Sequence, residues 1–203
     1  FLENIIQGYN YNVGSGNFVK NCYFTNNIFE SASPGFNNVG HFSNCLFKNN
    51  IFLFQYQCDQ NYCYYPIYSP ISTFENNIFI SSSGATNGTS TSIYNNNLFV
   101  ENWTPSACGC LGSNNINNQS QASIFVNQSG NIFNYSQDYH LQVSCPGKNA
   151  GTDGTDVGIY GGMSPWKDGS LSQNPHIQFK QIAGATDQNG NLKINIKVKA
   201  QNN

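Results

Sequence analysis

Ten carboxylates, three histidines and seven cysteines are the groups able to do chemistry in this 203-residue chain, beside eight lysines and no arginine. A glycosidase needs two facing carboxylates, one to protonate the leaving oxygen and one to act on the sugar or a water. A polysaccharide lyase needs a base for the proton beside a uronate carboxyl, and a cation to neutralise that carboxyl. Without arginine, only lysine or histidine can be that base. His41, His140 and His176 are far apart in sequence. His41 begins a repeat, where a side chain can face a groove, and it is the candidate catalytic residue. Glu3 and Glu75 are read at equivalent points of two repeats, on one line with Thr25, Lys48 and Asn95. That line is expected to face solvent, with Glu75 and Lys48 forming a surface pair worth little energy.

The cysteines fall at 22, 45, 58, 63, 108, 110 and 145. Cys22 and Cys45 read as small inward-facing residues, and a bridge between them is a secondary alternative. A loop-stapling disulfide between Cys58 and Cys63 is the first choice, in keeping with export. Zinc held by those two with Cys108 and Cys110 is the weaker alternative, because C-x4-C with C-x-C is not a usual zinc frame. The odd count leaves at least one thiol unpaired, and Cys145 is the candidate. Asp153 and Asp156 lie in a Gly-Thr-Asp-Gly-Thr-Asp run with the composition of a calcium loop. Turn formation explains that run equally well, so the expectation is no cofactor, with calcium as the alternative. Tyr62, Tyr64, Tyr65 and Trp103 read as exposed rings on which a sugar can stack, or as rings that pack their loops onto the body.

A recurring hexapeptide must position all of these. It reads FLENII from Phe1, FTNNIF from Phe24, FKNNIF from Phe47, FENNIF from Phe74 and YNNNLF from Tyr94, with a worn echo, GSNNIN, from Gly112. Repetition at roughly 20–25 residues marks stacked units, each too small to bury its own apolar face. Apolar and small residues alternate up to the aromatic, as in a pleated strand. The Asn pair then breaks the strand, since Asn tolerates left-handed backbone. The Ile-Phe or Leu-Phe that follows is expected to return to the inside. Stacking predicts a column of Phe1, Phe24, Phe47, Phe74 and Tyr94, an amide ladder of Asn27, Asn50, Asn77 and Asn97, and a column of small residues at Cys22, Cys45, Ser72 and Ser92. The predicted fold class is all-β, a right-handed parallel β-helix with a β-rich C-terminal cap.

Only 9% of residues are charged and the formal net charge is -2. Nucleic-acid binding is therefore excluded as a reading, for want of a basic stripe or a guanidinium. No run of 18 apolar residues offers a membrane-spanning helix. Phe1 sits inside a repeat, so earlier repeats of the same protein are expected upstream, covering an otherwise open edge. The helix domain is read as 1–162, with insertions at 55–70 and 101–112, and two irregular strands between 123 and 133 finishing the stack. An extension over 163–203 ends in a strand alternating Leu192, Ile194, Ile196 and Val198 with lysines, expected to be half-buried.

The last third carries the most specific likeness. Tyr139-His140-Leu141, Cys145-Pro146, Asn149-Ala150-Gly151-Thr152 and Asp156-Val157-Gly158-Ile159-Tyr160-Gly161-Gly162 resemble the closing motif of secreted right-handed β-helix proteins of the Bacteroidota type, in the pectate-lyase-like superfamily. The departure is Gly147-Lys148, where a small and an apolar residue are usual. With the repeats, the resemblance covers nearly the whole chain. It implies an extracellular or cell-surface protein, a partner polysaccharide or cell-surface glycan, and a following sorting domain read by the outer-membrane secretion machinery. It does not imply one activity. The expected function is a non-catalytic structural or glycan-contacting module. The alternatives are the C-terminal part of a polysaccharide lyase or glycoside hydrolase and, ranked last, an ice-binding protein.

Overall fold

The computed structural model describes residues 3–8, 19–31, 42–53, 57–58, 63–64, 71–80, 91–168 and 176–199. They form an all-β fold dominated by parallel pairing. The hexapeptides from Phe24, Phe47, Phe74 and Tyr94 each give one strand to each of two five-stranded parallel sheets, while that from Phe1 gives one to the first sheet and the echo from Gly112 one to the second. The first sheet runs Ile5–Gly8, Ile28–Ser31, Ile51–Phe52, Ile78–Phe79 and Leu98–Phe99; the second runs Tyr23–Thr25, Cys45–Lys48, Ser72–Glu75, Ile93–Asn95 and Leu111–Ser113. The worn echo is a true repeat, because Leu98 bridges Ile116 and Tyr94 pairs with Gly112.

The corner between the two strands of a repeat is one left-handed residue. Asn26, Asn49, Asn76, Asn96 and Asn114 have φ of 53°, 56°, 58°, 54° and 56°, a conformation that Asn reaches more readily than other side chains. Glu3, at φ 52°, belongs to this row. The line predicted to join Glu3 with Glu75 is thus corrected: one residue separates their positions, and a one-residue slip moves a side chain to the other face.

The second Asn of each pair turns inward. Asn50 Oδ1 accepts from Asn27 N at 2.9 Å and from Asn27 Nδ2 at 3.1 Å, and Asn50 Nδ2 donates to Phe24 O at 2.8 Å. Asn77, Asn97 and Asn115 repeat this pattern, so every ladder amide bonds its neighbour. The small-residue column bonds in the same direction, with Cys45 N donating to Ser72 Oγ and Ser72 N to Ser92 Oγ.

Two aromatic columns fill the space between the sheets. Phe24, Phe47, Phe74 and Tyr94 stack at 5.0, 4.8 and 4.6 Å. Phe29, Phe52, Phe79 and Phe99 stack at 4.8, 4.6 and 4.8 Å. Both spacings follow the separation of neighbouring strands. The Ile-Phe pair therefore divides. Its Phe enters this core, while Ile28, Ile51, Ile78 and Leu98 point the other way into a second core.

That second core is closed by residues 120–166. A short helix, Gln121–Ile124, leads into Phe125–Asn127, which pairs antiparallel with Asp138–Leu141. Ile124, Phe125, Leu141, Val157 and Ile159 cover the outward isoleucines of the first sheet. The expectation that residues 123–133 finish the parallel stack is corrected: the chain leaves the parallel register and crosses to an outer face. The closing stretch then runs back along the left-handed asparagines. Asn96 Nδ2 donates to Ala150 O at 2.9 Å, Asn76 Oδ1 accepts from Thr152 N at 2.9 Å, and Asn26 Nδ2 donates to Ile159 O at 2.8 Å and to Gly161 O at 2.9 Å.

Gly158 has φ +84°, and a Cβ there would lie 2.6 Å from Ile78 Cδ1. Gly158→Ala is expected to cost about 2 kcal/mol, from strained backbone and the clash. The loss should appear as faster amide exchange across 150–162 before it appears in residues 45–52.

Two compact units divide the chain at Trp166 and Lys167. In the second unit, His176–Ile182 pairs antiparallel with Ile194–Lys199. The predicted strand is present, but Ile194, Ile196 and Val198 are exposed like the residues between them, so it is not half-buried.

Candidate contact face

From Ile28 through Phe99 the described side chains of the first sheet are buried on both sides, whereas the second sheet keeps an outer face. Its inward positions carry the Phe24 column, so alternation turns the flanking positions out. One outward column is Tyr23, Leu46, Thr73, Ile93 and Leu111, paired in register across five strands. Tyr23 is 69% exposed, Ile93 38% and Leu111 70%. The parallel column is Thr25, Lys48, Glu75, Asn95 and Ser113. An apolar stripe thus lies beside a polar ridge.

Lys48 Nζ donates to Glu75 Oε1 at 2.8 Å, and the Thr152 hydroxyl donates to the same oxygen. Partial burial pushes the Glu75 carboxyl up, but the bonds from Lys48 and Thr152 outweigh it and leave the group below its ordinary 4.5. Asp153 beside them is lowered, first by the hydroxyl of Thr155, which it caps. Asp156 accepts from Lys148 Nζ at 2.9 Å and from Asn149 N at 3.0 Å.

The lowered Glu75 fixes the sign of a pH effect. A depressed folded value means that the contribution to stability is complete above the unfolded value and is lost as pH falls through the folded one. Glu75→Gln is therefore expected to flatten the fall in Tm between about pH 5 and pH 3. Equal slopes for variant and parent would show that the pair does not hold the ridge to the closing stretch.

Of the predicted site residues, Trp103, Asp153 and Asp156 are described with their side chains. His41, Tyr62 and Tyr65 lie outside the described residues. The backbone of Gln57–Cys58 pairs antiparallel with Cys63–Tyr64, setting Cys58 opposite Cys63; the side chains of Cys58, Cys63 and Tyr64 are outside the described set. Trp103 is corrected from an exposed ring to a core residue. It is 8% exposed and sits 4.7 Å from both Tyr94 and Phe99, ring centroid to ring centroid. Cys108 and Cys110 form a disulfide, which sets aside the zinc alternative. The signal available for it was Gly109, which takes φ 70° between them. Cys22, Cys45 and Cys145 are free thiols, and burial pushes the Cys145 thiol up.

Asp153 and Asp156 do not gather a metal set: among the described residues no group of three or more His, Cys, Asp or Glu is placed to hold an ion. His140 stacks on Tyr160 at 3.7 Å and its Nδ1 lies 2.7 Å from Asp138 Oδ1. Partial burial raises the Asp138 carboxyl, and the bonds from His140 lower it further than burial raises it. This exposed pair braces the closing stretch. No protein-family model, curated protein or solved structure matches the chain.

Proposed function

We propose that the chain is a right-handed parallel β-helix and serves as a rigid, non-catalytic module of an exported or cell-surface protein that contacts glycans. The observation that carries this reading is the asparagine ladder, unbroken from Asn4 through Asn115. It commits the most repeated polar side chain to stacking and produces a stiff, regular outer face. The test is incubation of the full chain with polygalacturonate and with neutral polysaccharides, following retention in affinity gels and release of chain ends. Retention without cleavage is expected, and cleavage overturns the non-catalytic reading.

One observation favours a second reading, the C-terminal part of a polysaccharide lyase or glycoside hydrolase. Lys48, Glu75 and Asp153 gather on one face, as acid–base chemistry requires. Their state speaks against it. A general acid needs a raised carboxyl, and both carboxyls here are lowered. Ice binding fares less well, because the outward columns mix Tyr, Leu, Thr, Ile, Lys, Glu, Asn and Ser instead of repeating Thr.

A further inference from the structure

Resting on that glycan-contacting reading, we infer that the outward stripe Tyr23, Leu46, Thr73, Ile93 and Leu111 is a subsite for one neutral, extended, β-linked polysaccharide chain lying across the strands. The stripe advances one side chain per strand, about 4.8 Å at a time. That step is close to the length of one pyranose ring in an extended chain. Tyr23 offers a ring, and Leu46, Ile93 and Leu111 offer aliphatic surface. The C–H face of a pyranose packs on such groups while its hydroxyls stay outside. Hydroxyl and amide groups of Thr25, Asn95 and Ser113 stand two residues along their strands on the same face, within the polar ridge.

Size and charge select the occupant. Five strands at this spacing give a stripe about 19 Å long and one side chain wide, on the order of 200 Å². A stable protein partner needs about 800 Å² on each side, so neither a second copy nor another folded protein is served by the stripe alone. A single polymer chain is. The two charges of the ridge, Lys48 and Glu75, are paired with each other at 2.8 Å. An acidic polymer therefore meets no net positive field, and a neutral one loses nothing.

The test titrates the full chain with cellohexaose and with polygalacturonate by calorimetry, using the parent, Tyr23→Ala/Leu111→Ala, and Thr73→Arg. Both substituted sites of the double variant are mostly exposed, so its circular dichroism and Tm should stay at the parent values. Thr73→Arg blocks the middle of the stripe without removing apolar surface. The expected result is binding of cellohexaose by the parent, at least tenfold weaker in both variants, with no preference for polygalacturonate. Parent-like binding by both folded variants overturns the inference and leaves the glycan-contacting reading intact on another face. Binding of polygalacturonate alone overturns the stated substrate class. If the parent binds neither these nor a wider panel of neutral and acidic glycans, the glycan-contacting reading falls with the inference.

Discussion

Asn77→Ala is expected to destabilise the protein by roughly 3–5 kcal/mol, because it removes four buried hydrogen bonds at once. Asn77 is fully buried. Its Oδ1 accepts from Asn50 N and Asn50 Nδ2, both at 2.9 Å. Its Nδ2 donates to Phe47 O at 2.9 Å and to Asn97 Oδ1 at 3.0 Å. Truncation takes one partner from each of two donors and two acceptors that water does not reach; Asn50 Nδ2 keeps Phe24 O and Asn97 Oδ1 keeps Asn77 N, while a buried group left unsatisfied costs about 1–3 kcal/mol. Asn77→Leu should do no better, since an apolar side chain of similar size leaves the same groups unmet. Asn115→Ala is the comparison. Asn115 is only half-buried at the last described repeat of the ladder, so water replaces part of what is lost, and the cost should be about 1–2 kcal/mol. Urea unfolding of the three variants separates the cases through the shift in midpoint at unchanged slope. Equal costs at Asn77 and Asn115 would mean that burial does not govern the ladder, and that its amides act independently.

Much of the stack is legible in sequence because its chemistry is local. The left-handed corner needs one residue that tolerates φ near +55°, and Asn occurs there at 26, 49, 76, 96 and 114. The ladder and the Phe24 column follow from the same hexapeptide repeated at the strand spacing. The outer layer is not legible, because its contacts join distant residues. Asn26 meets Ile159 across 133 residues and Asn76 meets Thr152 across 76. Nothing near Asn26 announces such a partner. The outward turn of Ile28, Ile51 and Ile78 is hidden for a related reason. Both members of an Ile-Phe pair are apolar, and only the covering segment shows that a second core exists on the far side of the sheet. Glu30 shows the limit most sharply. It is a buried carboxylate in the place held by Leu53 and Ile80 in the following repeats, and Oε2 accepts the backbone N–H of Phe133. In sequence nothing sets it apart from the other nine acids. The outward stripe is not legible either, because Tyr23, Leu46, Thr73, Ile93 and Leu111 share no residue type, and register alone unites them.

Trp103→Ala is expected to cost about 3–5 kcal/mol, the range for truncating a buried aromatic. The cause is where the aromatic columns stop. Tyr94 pairs with Gly112, so the next repeat has no ring to lay over Tyr94. A side chain cannot be restored at that position, because a Cβ on Gly112 would lie 2.0 Å from Tyr94 O. The column therefore needs a lid from elsewhere, and the loop after Val100 supplies it. Trp103 meets both Tyr94 and Phe99, while Cys108 and Cys110, tied together, fill the rest of the same core. Removing the indole opens the end of the stack to water, and the damage should be graded along it. Amide exchange should rise most in residues 91–99, less in 72–79 and least in 24–29. Trp103→Phe, which keeps a ring, should recover more than half of the loss. The lid lies on the inner side of the second sheet and the stripe on its outer side, so cellohexaose binding by folded Trp103→Ala should match the parent. The opposite pattern, with stability unchanged and binding abolished, would make Trp103 a sugar-contacting ring and overturn its assignment as the lid.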